Sequence, residues 1–201
     1  IRASARSNVL SALLLDAIKT NINAWAYPAQ LAGLDYSISH LRGITIRVGG
    51  YNDKLHTLMT RILIQVASPT LTEQRFKIAL ERIIDGLLNR AKNRPVAQTS
   101  RFIQTALIED TWSIEEKLAA ARAVSIDGLK SFSESFLSQV DPVKLVHGNM
   151  TQAAALNFAQ QVNASVLRKS MLVEVPRSQV RALPETETVV DIEVDHRDTG
   201  Y

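Results

Sequence analysis

One stretch restricts the fold more than any other. Between Asp35 and Tyr51 the apolar residues alternate, while on both sides of it they recur every three or four positions. Tyr36, Ile38 and His40 alternate with Ser37 and Ser39, then Ile44, Ile46 and Val48 alternate with Thr45 and Arg47, and Gly43 lies between the two runs. A period of two puts successive side chains on opposite faces of a strand, so the pattern predicts a β-hairpin with one apolar face. An isolated hairpin is marginal in water and needs a cover for that face, which the flanking helical patterns supply. The expected fold class is therefore α+β, an antiparallel sheet with several helices packed on one face, and the hairpin is expected to be its structural centre.

The helices are read from apolar spacing and its interruptions. Val9, Leu10, Leu13, Leu14, Ala17, Ile18 and Ile22 mark a first helix; Pro28 is expected to open a short second one and Gly33 to close it. After Asn52 and Asp53, Leu55, Leu58, Met59, Ile62, Leu63 and Val66 are in phase, and Ser68, Pro69 and Thr70 interrupt them. A longer helix follows Thr72 with the stripe Phe76, Ala79, Leu80, Ile83, Ile84, Leu87 and Leu88, limited by Pro95, which cannot continue the hydrogen-bond ladder. Another carries Phe102, Ile103, Ala106 and Leu107. Ser113 with Glu116 three residues on forms a capping-box pattern before a helix holding Leu118 and Ala121, and Ser125 or Asp127 starts one with Leu129, Phe132, Phe136 and Leu137.

Pro142 ends this helical section. Residues 143–147 are read as a short strand, the third of the sheet, turning at Gly148 and Asn149 into a helix capped by Thr151 and running to about Val166. Three strands would leave an unprotected edge, through which the chain could pair with a second copy of itself. From Leu167 to Thr188 periodicity fails, and Pro176 and Pro184 with scattered Arg and Ser suggest a linker. Val190, Ile192 and Val194 then alternate with Asp191, Glu193 and Asp195, the pattern of another strand. The expected layout is a domain over 1–166, a linker over 167–188, and over 189–201 the first strand of a truncated following domain. With 201 residues, 46% of them apolar, the chain can bury a sizeable core. Its start has neither an initiator Met nor a signal-peptide core, and it is read as a fragment or processed product.

Residue types exclude most chemistries. Without cysteine there is no disulfide framework, thiolate zinc site or cysteine nucleophile, and the compartment is left open. No apolar run is long enough to span a bilayer. The four histidines, His40, His56, His147 and His196, are too far apart for HExxH or the inverted HxxEH, so no catalytic, cofactor-binding or metal-binding residue is assigned. His40 and His147, at strand ends, are read as packing or hydrogen-bonding residues. His196 with Asp191, Glu193 and Asp195 is read as the solvated face of a strand rather than a ligand cluster. Gly148 to Thr151 at a helix start could offer backbone N–H groups to an anion, but a tight turn explains it, and neither it nor Gly49 with Gly50 has the Lys and Ser or Thr of a phosphate loop. No Gly-x-Ser-x-Gly elbow is found.

The net charge of +3 is too small to imply nucleic acid. Basic residues do concentrate in Arg75, Lys77, Arg82, Arg90, Lys92, Arg94 and Arg101, which outnumber Glu73, Glu81 and Asp85. No interleaved aromatics offer stacking platforms, so this tract is read as a solvated or interdomain face, or as a surface for an acidic partner or peptide.

The run over 13–53, with Tyr27-Pro28-Ala29-Gln30-Leu31-Ala32-Gly33-Leu34 before the hairpin and Val48-Gly49-Gly50-Tyr51-Asn52-Asp53-Lys54 after it, resembles the third domain of the M16 metallopeptidases, the insulinase and pitrilysin group. The likeness continues through the Arg-bearing helix over 73–94 and through His147-Gly148-Asn149-Met150-Thr151, and covers about 5–166.

That resemblance implies a clamshell zinc metalloendopeptidase of four similar α+β domains. Zinc is held by HxxEH and a later Glu in an N-terminal half that is missing here, as is the strand that precedes the family's first helix. The chain itself is expected to be non-catalytic and inactive, without a cofactor of its own. It would form part of the wall of a peptide-enclosing chamber, with the missing half, the following domain and, in the parent, peptide substrates as partners. The family's fourth domain uses a substrate-holding Arg and Tyr in R-x-x-E-Q-L-G-Y; Arg197, Gly200 and Tyr201 lack the Glu-Gln-Leu segment and do not take that role. The resemblance favours a periplasmic or secreted setting, and the residues leave a cytoplasmic one open. Two alternatives remain: a catalytically inactive scaffold, and a protein-interaction module using the basic helical face.

Overall fold

The computed structural model describes residues 4–40, 43–138, 140, 142–166, 179–182 and 189. The order of elements is α1 (Ala5–Leu31), β1 (Asp35–His40), β2 (Ile44–Gly49), α2 (Asn52–Ala67), α3 (Glu73–Ala91), α4 (Pro95–Leu107), α5 (Ile114–Ala123), α6 (Ile126–Ser138) and α7 (Gln152–Val166). The α+β class is as expected, and none of these helices is long and apolar enough to cross a membrane.

α1 begins at a reciprocal cap: the Ser4 side chain accepts from the Ser7 backbone N–H, and the Ser7 hydroxyl accepts from the Ser4 N–H. Val9, Leu10, Leu13, Leu14, Ile18, Ile22 and Ala26 form one unbroken buried stripe. The break expected at Pro28 does not occur. Proline removes only its own donor, and in the last turn little ladder remains to lose. The Pro28 carbonyl still accepts from Ala32, and Gly33, at φ 80°, closes the helix as anticipated.

The strands pair antiparallel with Ile38 opposite Ile46 and His40 opposite Ile44. Tyr36, Ile38, His40, Ile44, Ile46 and Val48 all sit on the more buried face, as their parity requires, but only Ile38 is fully buried. The Tyr36 hydroxyl donates to the Asn23 side-chain oxygen and fastens this face to α1.

Two expectations are corrected. The expected third strand at 143–147 is extended but joins no ladder among the described residues, and Val143 and Leu145 are 93% and 90% exposed. Two alternating apolar residues suit a strand without specifying an edge to pair with, and the following turn is anchored at the start of α2 instead, where the Asn52 amide donates to the Asn149 carbonyl at 2.7 Å. The hairpin is also not the structural centre. The core is built around α1, whose Leu13, Leu14, Ile18 and Ile22 are essentially inaccessible, with Leu58, Ile62 and Val66 of α2, Phe76 and Ala79 of α3, Ala121 of α5, and Leu129 and Phe132 of α6 packed around it. Each such aliphatic side chain contributes roughly 1.5–3 kcal/mol, so the α1 stripe outweighs Ile38, the one buried residue among those described in the hairpin.

The remaining starts follow their caps. Thr72 caps α3, Ser113 and Glu116 form the anticipated capping box on α5, the Ser125 hydroxyl accepts from Gly128 ahead of α6, and Thr151 accepts from Ala154 ahead of α7, which packs along α2. Pro95 both follows the end of α3 and opens α4, where its missing N–H costs nothing. Of the stretch over 167–188, only 179–182 are described, and they are pinned: Arg181 N–H donates to the Leu107 carbonyl at 2.8 Å, Glu109 N–H donates to the Gln179 carbonyl at 3.1 Å, and Val180 bridges Ile108. The strand expected at 190–194 and the C-terminal Arg197, Gly200 and Tyr201 lie outside the described residues.

Candidate functional site

The histidines do not come together. His40 is half-buried at the end of β1, where desolvation lowers its pKa below the ordinary imidazole value. His56 is exposed on α2, its Nε2 3.2 Å from the Thr57 hydroxyl. His147 is exposed before the Gly148 turn, and His196 lies outside the described residues. Among the described residues no group of three or more His, Cys, Asp or Glu could hold a metal ion, so the side chains described do not fit a zinc centre and no step through a metal follows from them.

The turn at Gly148 is built as a turn. Gly148 has φ 133°, Met150 N–H returns to its carbonyl at 2.9 Å, and the Thr151 hydroxyl serves the helix start itself. The Asn52 bond then holds this turn against α2. A related junction lies nearby: a Cβ on Gly50 would stand 2.4 Å from the Gly33 carbonyl, and one on Gly33 would stand 3.0 Å from the Tyr51 ring. Both glycines have positive φ, so backbone conformation and close approach demand the same residue.

The basic tract divides in two. Its first part is used by the fold: Arg75 hydrogen-bonds the buried Asn21, whose amide also donates to the Thr70 carbonyl; Arg82 pairs with Asp16 at 2.6 Å; Lys77 pairs with Glu73 on its own helix. The second part is a cationic cluster. Arg101 of α4 donates through Nη1 to the Arg90 carbonyl in the last turn of α3, at 3.1 Å, where a helix end favours positive charge. Lys117 of α5 stands beside both, half-buried. Burial lowers its ammonium pKa first, and the charges of Arg90 and Arg101 lower it further. Glu116 acts in the opposite sense, but its carboxylate already accepts the Ser113 N–H at 2.7 Å. Among the described residues no ion pair forms to Arg90, Arg101 or Lys117. Such a cluster can hold an anion; it contains no nucleophile or base positioned for bond cleavage. Lys117 was not in the expected basic set, because it is remote in sequence from Arg90 and only the packing of α5 on α3 brings it there.

Comparison with known proteins bears on the whole chain. Residues 1–120 match the family described as the middle or third domain of peptidase M16. The chain is 32% identical to human insulin-degrading enzyme over 156 residues, which is 77% of this chain and 15% of that protein. It is 27% identical to the A-factor-processing enzyme of Saccharomyces cerevisiae over 189 residues, 92% of this chain and 18% of that one. The crystal structure of pitrilysin superimposes with a TM-score of 0.72 at 19% identity, covering 84% of this chain and 18% of that chain, and so shares the fold. The chain spans less than a fifth of the length of these relatives.

Proposed function

Since the chain belongs to the peptidase M16 family and corresponds to its middle or third domain, we propose that it is a non-catalytic domain of a zinc-dependent endopeptidase, forming part of the wall of a peptide-enclosing chamber and the contacts between domains. The observation that carries this reading is the family match over 1–120. The word-like segments around Gly33, Gly50 and Asn149 support it, since the two glycines form a close backbone junction and the Asn149 carbonyl accepts from Asn52 at the start of α2. In this reading the zinc and its general base belong to another part of the parent protein, and peptides reach this domain only inside the assembled enzyme. The layout proposed with it is a domain over 1–166, a linker over 167–188 tethered at 179–182, and a following unit from 189.

The test is metal analysis of the dialysed chain together with a quenched-peptide assay, on the chain alone and on the whole parent protein. The chain alone should carry no stoichiometric zinc and cleave nothing, while the parent should show chelator-sensitive cleavage. Zinc and cleavage in the chain alone would overturn the non-catalytic reading; a parent without cleavage would favour the inactive scaffold. Limited proteolysis should cut first within 167–178 or 183–188. First cuts inside α1 or α3 would overturn the layout.

A further inference from the structure

The cationic cluster sits where three helices meet. Arg90 belongs to the last turn of α3, Arg101 lies on the inward side of α4 with Ala97, Gln98 and Thr105, and Lys117 stands on α5, which packs on α3. Arg101 and Lys117 are half-buried, and Arg90 is exposed at the rim. These side chains bring hydrogen-bond donors and no acceptor. One Arg101 N–H reaches the Arg90 carbonyl; its other donors, the Arg90 guanidinium and the Lys117 ammonium meet no acceptor among the described residues. The carboxylate that acts on Lys117, that of Glu116, is tied to the Ser113 N–H at the start of α5. No side-chain nitrogen or oxygen among the described residues is both enclosed and unpaired, so the Lys117 ammonium is open to water and to a solute.

α4 supplies a second observation. None of its residues is fully buried, so on its inward side the Arg101 bond to the end of α3 carries much of its attachment. Repulsion among three cations held at reduced hydration works against that attachment. A bound anion reverses the balance, because it offsets the repulsion and accepts from all three helices at once. Three cations suit an anion of charge two, and the planar guanidinium fork matches the oxygens of a tetrahedral oxyanion. The inward, half-buried seat selects a small ion over a polyanion, whose backbone needs an open cationic strip.

We propose that Arg90, Arg101 and Lys117 form a site for a small divalent oxyanion of the phosphate type, free or as the end of a phosphomonoester, and that its binding fastens α4 to α3 and α5. The proposal goes beyond the wall-domain reading and does not depend on it. It is decided by anion binding to the 201-residue chain, whereas that reading is decided by metal content and cleavage.

NMR titration of the 201-residue chain with inorganic phosphate at constant ionic strength tests it. The amides of residues 101 and 117 and the side-chain N–H signal of Arg101 should shift saturably, amides of α4 should exchange more slowly, and the melting temperature should rise. Sulfate should act as phosphate does, and chloride should not. Lys117→Met removes one cation and its repulsion together, so this variant should be at least as stable as the unaltered chain without phosphate, yet bind phosphate at least about tenfold more weakly. Arg101→Gln should weaken binding likewise; if it fails to fold, Lys117→Met and the titration of the unaltered chain decide. Lys77→Met, which changes the exposed lysine paired with Glu73, should leave binding unchanged. Phenyl phosphate that binds as phosphate does would extend the site to phosphomonoesters, and its exclusion would assign the site to the free ion. No saturable shift, an equal response to chloride, shifts confined to other residues, or undiminished binding by Lys117→Met would overturn the proposal.

Discussion

The side-chain amide of Asn52 donates a 2.7 Å hydrogen bond to the backbone carbonyl of Asn149, across 97 residues of sequence. It joins the first residue of α2 to the turn that starts α7, two helices that also pack on each other. One exposed bond contributes little by itself. Its effect is to fix where the chain re-enters the fold after the extended segment over 142–147, which joins no ladder among the described residues.

Asn52→Ala should therefore lower stability by only about 1 kcal/mol, yet act locally. Hydrogen exchange of α7 amides that open with this bond broken should accelerate by up to about fivefold, the equivalent of that change. Unchanged exchange of the α7 amides would show that α7 is held by packing alone.

The glycines give a sharper contrast. A methyl group at Gly50 meets the Gly33 carbonyl at 2.4 Å and the Leu34 Cα at 3.0 Å, at φ 118°, whereas one at Gly86, inside α3, meets nothing within 4 Å. Gly50→Ala should cost at least about 2 kcal/mol, because backbone cannot move aside as a flexible side chain can. Gly86→Ala should stabilise by about 0.4–1 kcal/mol by restricting the unfolded chain. Urea midpoints of the two variants should move in opposite directions.

These positions also show what was legible in the sequence. The hairpin could be read from parity, since alternation is local and needs no knowledge of partners. The continuity of α1 through Pro28 could not: proline signals a boundary locally, and only the buried stripe from Val9 to Ala26 reveals that the helix runs on. Val143 and Leu145 satisfied the strand pattern, but among the described residues no edge pairs with them. The cationic cluster was half visible, because Arg90 and Arg101 stood out as a basic tract, while Lys117 reaches them only through the packing of α5 on α3.

His40 introduces a pH dependence whose sign follows from its burial. Its folded pKa lies below the unfolded value of about 6.5, so in the window between the two the unfolded chain binds more protons. Stability from this group is complete above about 6.5 and falls as pH drops towards the folded pKa. His40→Gln removes that component. Denaturant titrations at a series of pH values below 6.5 should show a shallower loss for the variant than for the unaltered chain; identical slopes would mean that the imidazole is hydrated in the folded state.

The hairpin's two faces should respond unequally to the same charge. Ile46 lies opposite Ile38, the one buried residue among those described in the hairpin, and packs on the core, whereas Arg47 lies opposite Ser37 on the exposed face. Because Ile46 is only half-buried, a carboxylate there keeps partial hydration, and Ile46→Asp should cost about 2–3 kcal/mol. Ile38→Asp, with no access to water, should cost more and is expected to unfold the chain. Arg47→Asp should change stability by under about 0.5 kcal/mol. In thermal melts Arg47→Asp should stay nearest the unaltered chain, Ile46→Asp should melt clearly lower, and Ile38→Asp should show no cooperative transition. A one-residue slip in pairing would exchange the faces, so greater damage from Arg47→Asp than from Ile46→Asp would overturn the register itself.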